Sequence, residues 1–512
     1  MLWLAALSLV TLLLNGYHPL AEDGGLYVAG VQLTLNPSLF PHYTVFVSEH
    51  LHFSIFAPVL AFLVHVTHLS LVWVLLLTNL VSIWLTFYAT HRILQRTIAN
   101  ETAQLAGLFL LAAFWSIPIA GTSLLLMDPY VTARSLSTPL SLLAVAFALD
   151  VPFSPRPFLW SALCLILAAA FHPLMAAYAF AFILLLRVTA LRVTRLRRRY
   201  LAYTILAIAA IALAITLQRL APSETPAIIA AERSRYYWFL SQWQWFELLG
   251  LIGPLAVLAA LLLRYRKFSN PRNDTAATLC RASIALGCIA TLVALLFAHE
   301  ASRAHLVARM QPLRVYLLIY AIMTLLLGAT LTQLALEARQ RLHSTFTRTA
   351  LATAPAVIIL ALSATMFYVQ RQTFPASEHL ELPWLAQQNP NPWVRAFLWC
   401  RDNTPPDALF ALDTKYVNED GEDAQTFRPI ALRSALPDFS KDGGEAAITP
   451  SLAAQWQQGA DAQVNLSTET DAIRDARLIP LSVTWMVLHA SAPTAHPCPY
   501  NNGVIKVCRL TP

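Results

Sequence analysis

Long apolar runs separated by short polar stretches fill the first 369 residues of this 512-residue chain. A helix of about 20 apolar residues crosses a bilayer core about 30 Å thick, and shorter helices are accommodated by local thinning. The pattern therefore predicts eleven membrane-spanning helices. They lie near residues 1–15, 69–90, 103–121, 134–150, 158–172, 174–188, 200–217, 248–263, 280–297, 313–335 and 350–369.

Two apolar segments need separate treatment. The segment 51–66 contains Pro58, His52 and His65, which suit a re-entrant or interfacial helix better than a full crossing. The first run, 1–15, is short and lacks the basic n-region of a signal peptide, so a cleaved signal peptide and a misplaced start codon are both alternatives to a spanning helix. We expect an uncleaved helix there, because no small-residue cleavage site follows, although a signal peptide remains an alternative.

The pattern changes after Arg371, where the chain becomes polar and rich in proline. A helical stretch and three alternating, strand-like runs then follow within about 140 residues, which is enough for one small α/β domain. The helical stretch lies near Asn391–Arg401, and the strand-like runs are Ala408–Asp413, Val483–His489 and Gly503–Leu510. The predicted fold is thus mainly α: a multi-span helical bundle over residues 1–369 and an extracytoplasmic α/β domain over residues 370–512.

Cys498 and Cys508 enclose the turn-rich sequence Pro499-Tyr-Asn-Asn-Gly503. A disulfide between them would fit an oxidising compartment. Two unpaired cysteines in a hairpin are the alternative, because spacing alone does not give the geometry that a disulfide requires.

The composition excludes a soluble globular protein, because 57% of the residues are hydrophobic and only 12% are charged, against about 25% in soluble domains. Residues 1–369 hold 24 Lys and Arg against 12 Asp and Glu, whereas the tail holds 11 against 16. We predict that the basic part, residues 1–369, is surrounded by membrane lipids. No nucleic acid is predicted to bind.

The orientation follows from the basic loops, since Lys and Arg accumulate on the cytoplasmic side. Arginines cluster in alternate loops, most densely between Arg187 and Arg199, which include six of them, whereas the first loop, Gly16–His50, has no Lys or Arg. This distribution predicts a cytoplasmic N-terminus, with the first loop and the tail outside a bacterial cytoplasmic membrane.

The first outside loop carries an acidic pair, Glu22-Asp23, within the sequence His18-Pro-Leu-Ala-Glu-Asp-Gly-Gly-Leu-Tyr27. Adjacent side chains point about 100° apart on a helix, so one carboxylate at most would face a reaction centre. A solvated pair, or Asp23 capping a helix that starts at Gly24, would explain the residues without any chemistry.

The second outside loop contains Asp128-Pro129 and, six residues after the aspartate, Arg134. Asp128 before a proline suits a helix N-cap, which is a purely structural role. Arg134 stands at the mouth of an apolar helix, where a lone charge is costly unless it is paired. It suits a phosphate or a carboxylate such as Asp128 or Asp23, and anchoring at the interface is the alternative.

Further candidate ligands lie in later outside loops. His172 lies between two spans, where with Pro173 it also suits the turn of a helical hairpin. Three arginines and a histidine gather in one outside loop against the usual charge bias, which favours binding of an anion such as a lipid phosphate. They are Arg303, His305, Arg309 and Arg314. Anchoring to lipid headgroups is the alternative.

No P-loop, no GxGxxG after a strand, and no CxxC or HExxH sequence is present. ATP-driven transport and zinc hydrolysis therefore lose support. The cofactor stays open: no plain metal-binding motif is present, although a divalent metal remains compatible with the acidic loops.

This arrangement resembles the GT-C superfamily of membrane glycosyltransferases, which includes the protein mannosyltransferase and oligosaccharyltransferase folds. The resemblance rests on the acidic first loop, the acidic second loop, the many apolar helices and the outer C-terminal domain. It implies a polyprenyl-phosphate sugar donor and a first-loop carboxylate that activates the acceptor or helps to bind metal. By that resemblance Asp23 or Glu22 is the base, Asp128 a second acidic group, and Arg303, Arg309 or Arg314 the ligands of the donor phosphate. We also expect substrate binding by His18, Arg134, His172 and His305.

The tail departs from the oligosaccharyltransferases, because it has no Trp-Trp-Asp acceptor motif. Glycosylation of a peptide is therefore not predicted, and the acceptor and the oligomeric state are left open. A non-catalytic transporter or assembly protein for envelope polysaccharide is the alternative. An enzyme requires an enclosed outward cavity with Asp23 and arginines converging on it, whereas a scaffold would fill that cavity with side chains.

Overall fold

The computed structural model describes residues 2–150, 155–190, 196–268, 270–302, 304–341, 344–384 and 389–510. Arg303 and part of the arginine run between Arg187 and Arg199 lie outside the described residues. The helices up to residue 373 are α1 (Leu2–Asn15), α2 (Glu22–Leu35), α3 (Val45–Ser48), α4 (Phe56–Thr67), α5 (Leu71–Thr97), α6 (Glu101–Ala113), α7 (Ala133–Ala148), α8 (Pro155–Phe171), α9 (Pro173–Ala190), α10 (Leu196–Leu220), α11 (Pro226–Arg233), α12 (Trp245–Lys267), α13 (Pro271–Phe297), α14 (Leu306–Arg309), α15 (Tyr316–Arg341) and α16 (Thr345–Thr373).

Each of the eleven predicted apolar runs coincides with one of these helices. Among the described helices, six are long and apolar enough to cross a bilayer alone, namely α5, α10, α12, α13, α15 with its short leader α14, and α16. The others, such as α1 and α6, have the right composition but fewer residues. The number of eleven spans therefore stays a prediction.

The segment predicted to be re-entrant is a bent pair of helices. Residues Val45–Phe53 and α4 meet at 95°, which is the geometry of a broken span or a re-entrant loop. Counted as one span, the pair would raise the number of long apolar helices from six to seven.

Burial varies strongly among the spanning helices. In α15 nearly every side chain from Tyr316 to Ala329 is buried, so this helix is the centre of the bundle. In α16 only Gln370 is buried, so its apolar surface is left for lipid. The bundle thus has a packed centre and a lipid-facing rim.

The tail forms a mixed five-stranded sheet with helices around it, as the pattern of the sequence predicts. Its strands are β1 (Leu409–Ala411), β2 (Ser434–Ala435), β3 (Trp485–His489), β4 (Tyr500–Asn501) and β5 (Ile505–Arg509), in the order β2-β1-β3-β5-β4. Its helices are α17 (Pro392–Asn403), α18 (Phe427–Ala431), α19 (Lys441–Ile448), α20 (Ala453–Ala462) and α21 (Asp471–Leu478). A disulfide joins Cys498 and Cys508.

The tail packs directly on the bundle. Ala446 and Ala447 of α19 and Trp456 of α20 belong to the same apolar core as Ala231 of α11. The boundary of two domains at residue 370 stays a prediction, because a shared core runs across it. As a consequence, the tail holds α19 against α2 and α11 of the bundle.

Candidate active site

The acidic pair stands at the first turn of α2, where the first loop meets the tail. Glu22 has a left-handed backbone (φ 53°), and its N–H donates to the carbonyl of Ala424, 2.8 Å away. Such a conformation in a residue other than glycine is held by its surroundings and is frequent at functional sites. The helix begins at Glu22 and its N-cap is Ala21, so Asp23 does not cap a helix that starts at Gly24.

The two glycines after the acidic pair let neighbouring segments approach α2 from both sides. A Cβ atom at Gly24 would lie 2.8 Å from the Cβ atom of Tyr130 in the second loop. A Cβ atom at Gly25 would lie 1.5 Å from the hydroxyl oxygen of Thr426 in the tail. The sequence Glu-Asp-Gly-Gly therefore places the acidic pair where the first loop, the second loop and the tail meet.

Lys441, the first residue of α19, binds both members of the pair. Its Nζ atom donates to Oε2 of Glu22 and to Oδ1 of Asp23, the second at 3.2 Å. The lysine side chain is 12% exposed, whereas those of Glu22 and Asp23 are 42% and 41% exposed. The carboxylates are thus held from the tail and remain open on another side.

The start of α19 is fixed by buried charged groups. Arg235 donates to two backbone carbonyls just before the helix, each at 2.6 Å. Asp438 accepts from the backbone N–H of Lys441 at 2.6 Å, and Arg428 makes two hydrogen bonds of 2.7 and 2.8 Å with Asp442. Breaking such a buried pair leaves an uncompensated charge, so the backbone that carries Lys441 is firmly held.

Asp128 and Arg134 form a buried ion pair in the second loop. The guanidinium contacts Oδ2 of Asp128 at 2.5 Å through Nη2 and at 3.2 Å through Nε. The other oxygen, Oδ1, is buried and has no hydrogen-bond partner. Helix α7 is capped by Thr132 and Ser135, so Asp128 is not its N-cap and is free to pair with Arg134.

Arg314 stands in the short turn Pro312–Val315 that leads into the central helix α15. Gln311, three residues before Arg314, has a left-handed backbone conformation (φ 49°). Its carbonyl accepts a hydrogen bond from the Tyr178 hydroxyl at 3.0 Å. Within the described ranges no hydrogen bond or ion pair involves the Arg314 side chain, and its Nε atom is buried without a partner. This unpaired cation is close enough to Asp23 for each charge to act on the other.

The electrostatics of Asp23 reflect this convergence. Burial disfavours the ionised carboxylate, but three surrounding cations outweigh that effect and lower the pKa of Asp23 to about 2. They are Lys441, Arg134 and Arg314. Asp23 is therefore an anion throughout the physiological range, surrounded by positive charge.

His172 also belongs to this group, at the break between α8 and α9. Burial, together with the nearby Arg314 and Arg134, lowers the pKa of His172 to about 3. The imidazole is therefore neutral, and its Nδ1 atom accepts weakly from the backbone N–H of Met175 at 3.4 Å. His172 therefore lies both in the turn of a helical hairpin and close to the charged residues around Asp23.

Three of the remaining candidates have partners other than Asp23. His305 and Arg309 bind two carboxylates of the segment around α11: Nδ1 of His305 lies 2.7 Å from Glu224 and 3.0 Å from Glu232, and Arg309 pairs with both. His18 is fully buried and stacks on Phe374 at 3.8 Å. Arg303 lies outside the described residues.

Two groups of carboxylates were considered as metal ligands. Glu224, Glu232 and His305 have ligand atoms within 4.8 Å of one another, and in the described part of the chain they are the group with such spacing. Arg309 already pairs with both glutamates, so a cation of the protein already balances the charge of this cluster in place of a metal ion. The carboxylates of Glu22 and Asp23 also do not fit a metal ion, because Lys441 is bonded to both.

Glu445 is a further site residue that the sequence analysis missed. It follows Lys441 by one helical turn on α19 and is 7% exposed. Burial, with the nearby Asp442, Asp23 and Glu49, raises the pKa of Glu445 to about 8. No signal in the sequence connects residue 445 with residue 23, since only the packing of the tail on α2 brings them together.

The raised pKa of Glu445 predicts a pH-dependent stability. A carboxyl group whose pKa is raised in the folded state stabilises the fold fully at pH values below its ordinary pKa of 4.5. This contribution to stability is lost as the pH rises to about 8. We expect Glu445→Gln and the wild type to unfold at similar temperatures at pH 5, and the variant to be the more stable at pH 8.5. Thermal unfolding in detergent measures this, with Glu378→Gln, at an exposed site of the tail, as the matched control. A difference that does not change with pH would contradict the prediction.

Comparisons with solved structures identify the fold. The archaeal oligosaccharyltransferase AglB from Archaeoglobus fulgidus, solved with an inhibitory peptide and a dolichol-phosphate, matches over 95% of this chain and 69% of its own, with a TM-score of 0.52 and 12% identity. The arabinofuranosyltransferase AftD from Mycobacteria matches over 99% of this chain and 41% of its own, with a TM-score of 0.42 and 13% identity. Both are GT-C membrane glycosyltransferases, and the likeness to AglB confirms the expected GT-C fold. Neither a family model nor a curated protein sequence matches the chain.

Proposed function

We propose that this protein is a membrane glycosyltransferase that moves a sugar from a polyprenyl-phosphate donor to an acceptor hydroxyl. The reaction takes place at the outer face of a bacterial cytoplasmic membrane, in the space beside Asp23. The GT-C fold supports the general class of activity, and the arrangement of charged residues supports the donor.

The observation that carries the proposal is Arg314, a cation without a partner among the described residues, whose charge acts on the partly exposed carboxylate of Asp23. A partly buried guanidinium whose Nε atom has no partner is costly, so its retention is explained by a ligand that supplies the missing anion. A lipid phosphate is such an anion, and Arg314 stands in the turn that leads into the spanning helix α15. The arginine would bind the phosphate both in the donor and as it leaves.

In the proposed reaction the acceptor oxygen forms a bond to the anomeric carbon while the bond from that carbon to the phosphate oxygen breaks. The electron pair leaves with the lipid phosphate, which Arg314 stabilises. The hydroxyl proton passes to the free oxygen of Asp23, since only Oδ1 is bonded to Lys441. A carboxylate with a pKa of about 2 is a weak base, but the phosphate would neutralise part of the surrounding positive charge and raise its basicity.

The proposed side of the membrane is supported by which loops meet at the site. Asp23, Asp128, His172 and Arg314 all belong to loops that the arginine distribution assigns to the outside. A cytoplasmic site would require all of these assignments to be reversed together.

A panel of synthetic polyprenyl-phosphate sugars, presented to the protein in lipid nanodiscs, tests the proposal. We expect at least one hexosyl or pentosyl donor to release its lipid phosphate with the wild type and not with Asp23→Asn. Release at equal rates from both proteins, or no release with any donor and a mixture of hydroxyl acceptors, would contradict the proposed function.

A further inference from the structure

The tail supplies the positive charge that the acidic pair of the first loop requires. Lys441 bonds to one oxygen of each carboxylate, and its contact with Asp23 joins residues 418 positions apart. The aliphatic part of the side chain is covered while its charged end reaches the carboxylates, as is usual for a lysine at a polar boundary. Glu22 and Asp23 therefore bind the ammonium group of Lys441 together.

This lysine cannot leave easily, because its backbone is fixed. The residues just before it are held by Arg235, and the residue after it, Asp442, is bonded twice to Arg428. Burial alone would lower the pKa of Lys441, but Glu22 and Asp23 outweigh that effect and raise it above the ordinary value. The ammonium group is therefore charged throughout the physiological pH range.

A divalent ion would have to compete with these cations. Mg²⁺ and Mn²⁺ bind carboxylate oxygens in an octahedral set of ligands. Here the carboxylates of Glu22 and Asp23 are bonded to Lys441, and that of Asp128 to Arg134. Asp128 Oδ1 is the buried oxygen of this group left without a partner, and one such oxygen is too few for a metal site.

We propose that the ammonium group of Lys441 is the permanent cation of the acidic pair and that this site does not bind a divalent metal. In the proposed transferase, Lys441 orients Asp23 so that the free oxygen of Asp23 faces the acceptor. Only this catalytic role rests on the proposed function. Lys441 is then a positioning residue contributed by the tail, in the place where a metal-dependent enzyme would hold its ion.

Binding of Mn²⁺ tests this without a sugar donor. We would titrate the full-length protein in nanodiscs with Mn²⁺ and follow the free ion by electron paramagnetic resonance. We expect no stoichiometric site in the wild type at millimolar Mn²⁺. Lys441→Met should gain one site, because two neighbouring carboxylates lose their cation, and the double variant with Asp23→Asn should lose it again. Lys415→Met, at an exposed lysine of the tail, is the matched control and should behave as the wild type.

A wild-type Mn²⁺ site that Asp23→Asn removes would overturn the proposal, because a metal would then displace the lysine. Failure of folded Lys441→Met to gain a site would also overturn it, because the lysine would then not occupy a cation site. Should Lys441→Met not fold, the comparison of wild type with Asp23→Asn still decides the question. Lys441→Arg, which keeps the charge, should fold and bind no Mn²⁺. Because no donor is used, failure of this inference is distinguishable from failure of the proposed function.

Discussion

Asp23→Asn is expected to lower sugar transfer by about 10²–10⁴-fold, the usual contribution of a general base. The asparagine amide keeps the size of the side chain but accepts no proton, and it loses the charge that Lys441, Arg134 and Arg314 surround. Release of lipid phosphate from the donor found with the panel measures the effect. The side chain is 41% exposed, so the fold should tolerate the change.

Glu22→Gln is the matched control, because it removes the neighbouring carboxylate from the same lysine. Glu22 pairs with Lys441, whereas Arg134 and Arg314 act on Asp23, so this variant should keep activity within about tenfold of the wild type. Full activity in both variants would remove the acidic pair from the mechanism. Loss in Glu22→Gln alone would transfer the role of the base to Glu22.

Arg314→Met is expected to have opposite effects on activity and stability. Loss of one preorganised charge on the leaving group costs about 10²–10³-fold in turnover, and loss of the phosphate contact should raise KM as well. Stability should not fall and should increase slightly, because the guanidinium is partly buried and has no partner among the described residues. Donor kinetics and thermal unfolding of the same preparation measure the two effects.

Two further variants separate charge from structure at this position. Arg314→Lys should recover only part of the activity, because lysine binds phosphate as a point charge and not through a planar pair of donors. Arg233→Met, at an exposed arginine of α11, should leave both measurements unchanged. An Arg314→Met protein that is less stable than the wild type but fully active would identify Arg314 as a structural residue.

The sequence predicts the helices and the main strands well, because burial in lipid or in a sheet leaves a periodic or continuous apolar pattern. The strands β1, β3 and β5 fall within the predicted runs, whereas β2 and β4 have two residues each and are too short to leave a pattern. The predicted segment 103–121 is longer than α6, which ends at Ala113. The chain then turns through buried loop residues that are as apolar as a helix.

The site is predictable only where its residues are close in the chain. Asp128 and Arg134 are six positions apart, and the sequence predicts Asp128 as one of several partners for Arg134. The basic loop before α15 looked like one anion site, but its members separate. Arg309 meets the carboxylates of Glu224 and Glu232, which come from a distant loop, while Arg314 does not. Sequence alone cannot divide such a cluster, because the division depends on where α11 packs.

The distance along the chain between Asp23 and Lys441 has a consequence for biosynthesis. The acidic pair is made among the first residues, but its cation arrives only after 418 further positions have been synthesised and, in the proposed orientation, after the tail has been exported. A nascent or truncated chain therefore inserts with two uncompensated carboxylates and an incomplete site. Membrane insertion and the acquisition of activity should be separate events in the life of this protein, with the second waiting for the last quarter of the chain.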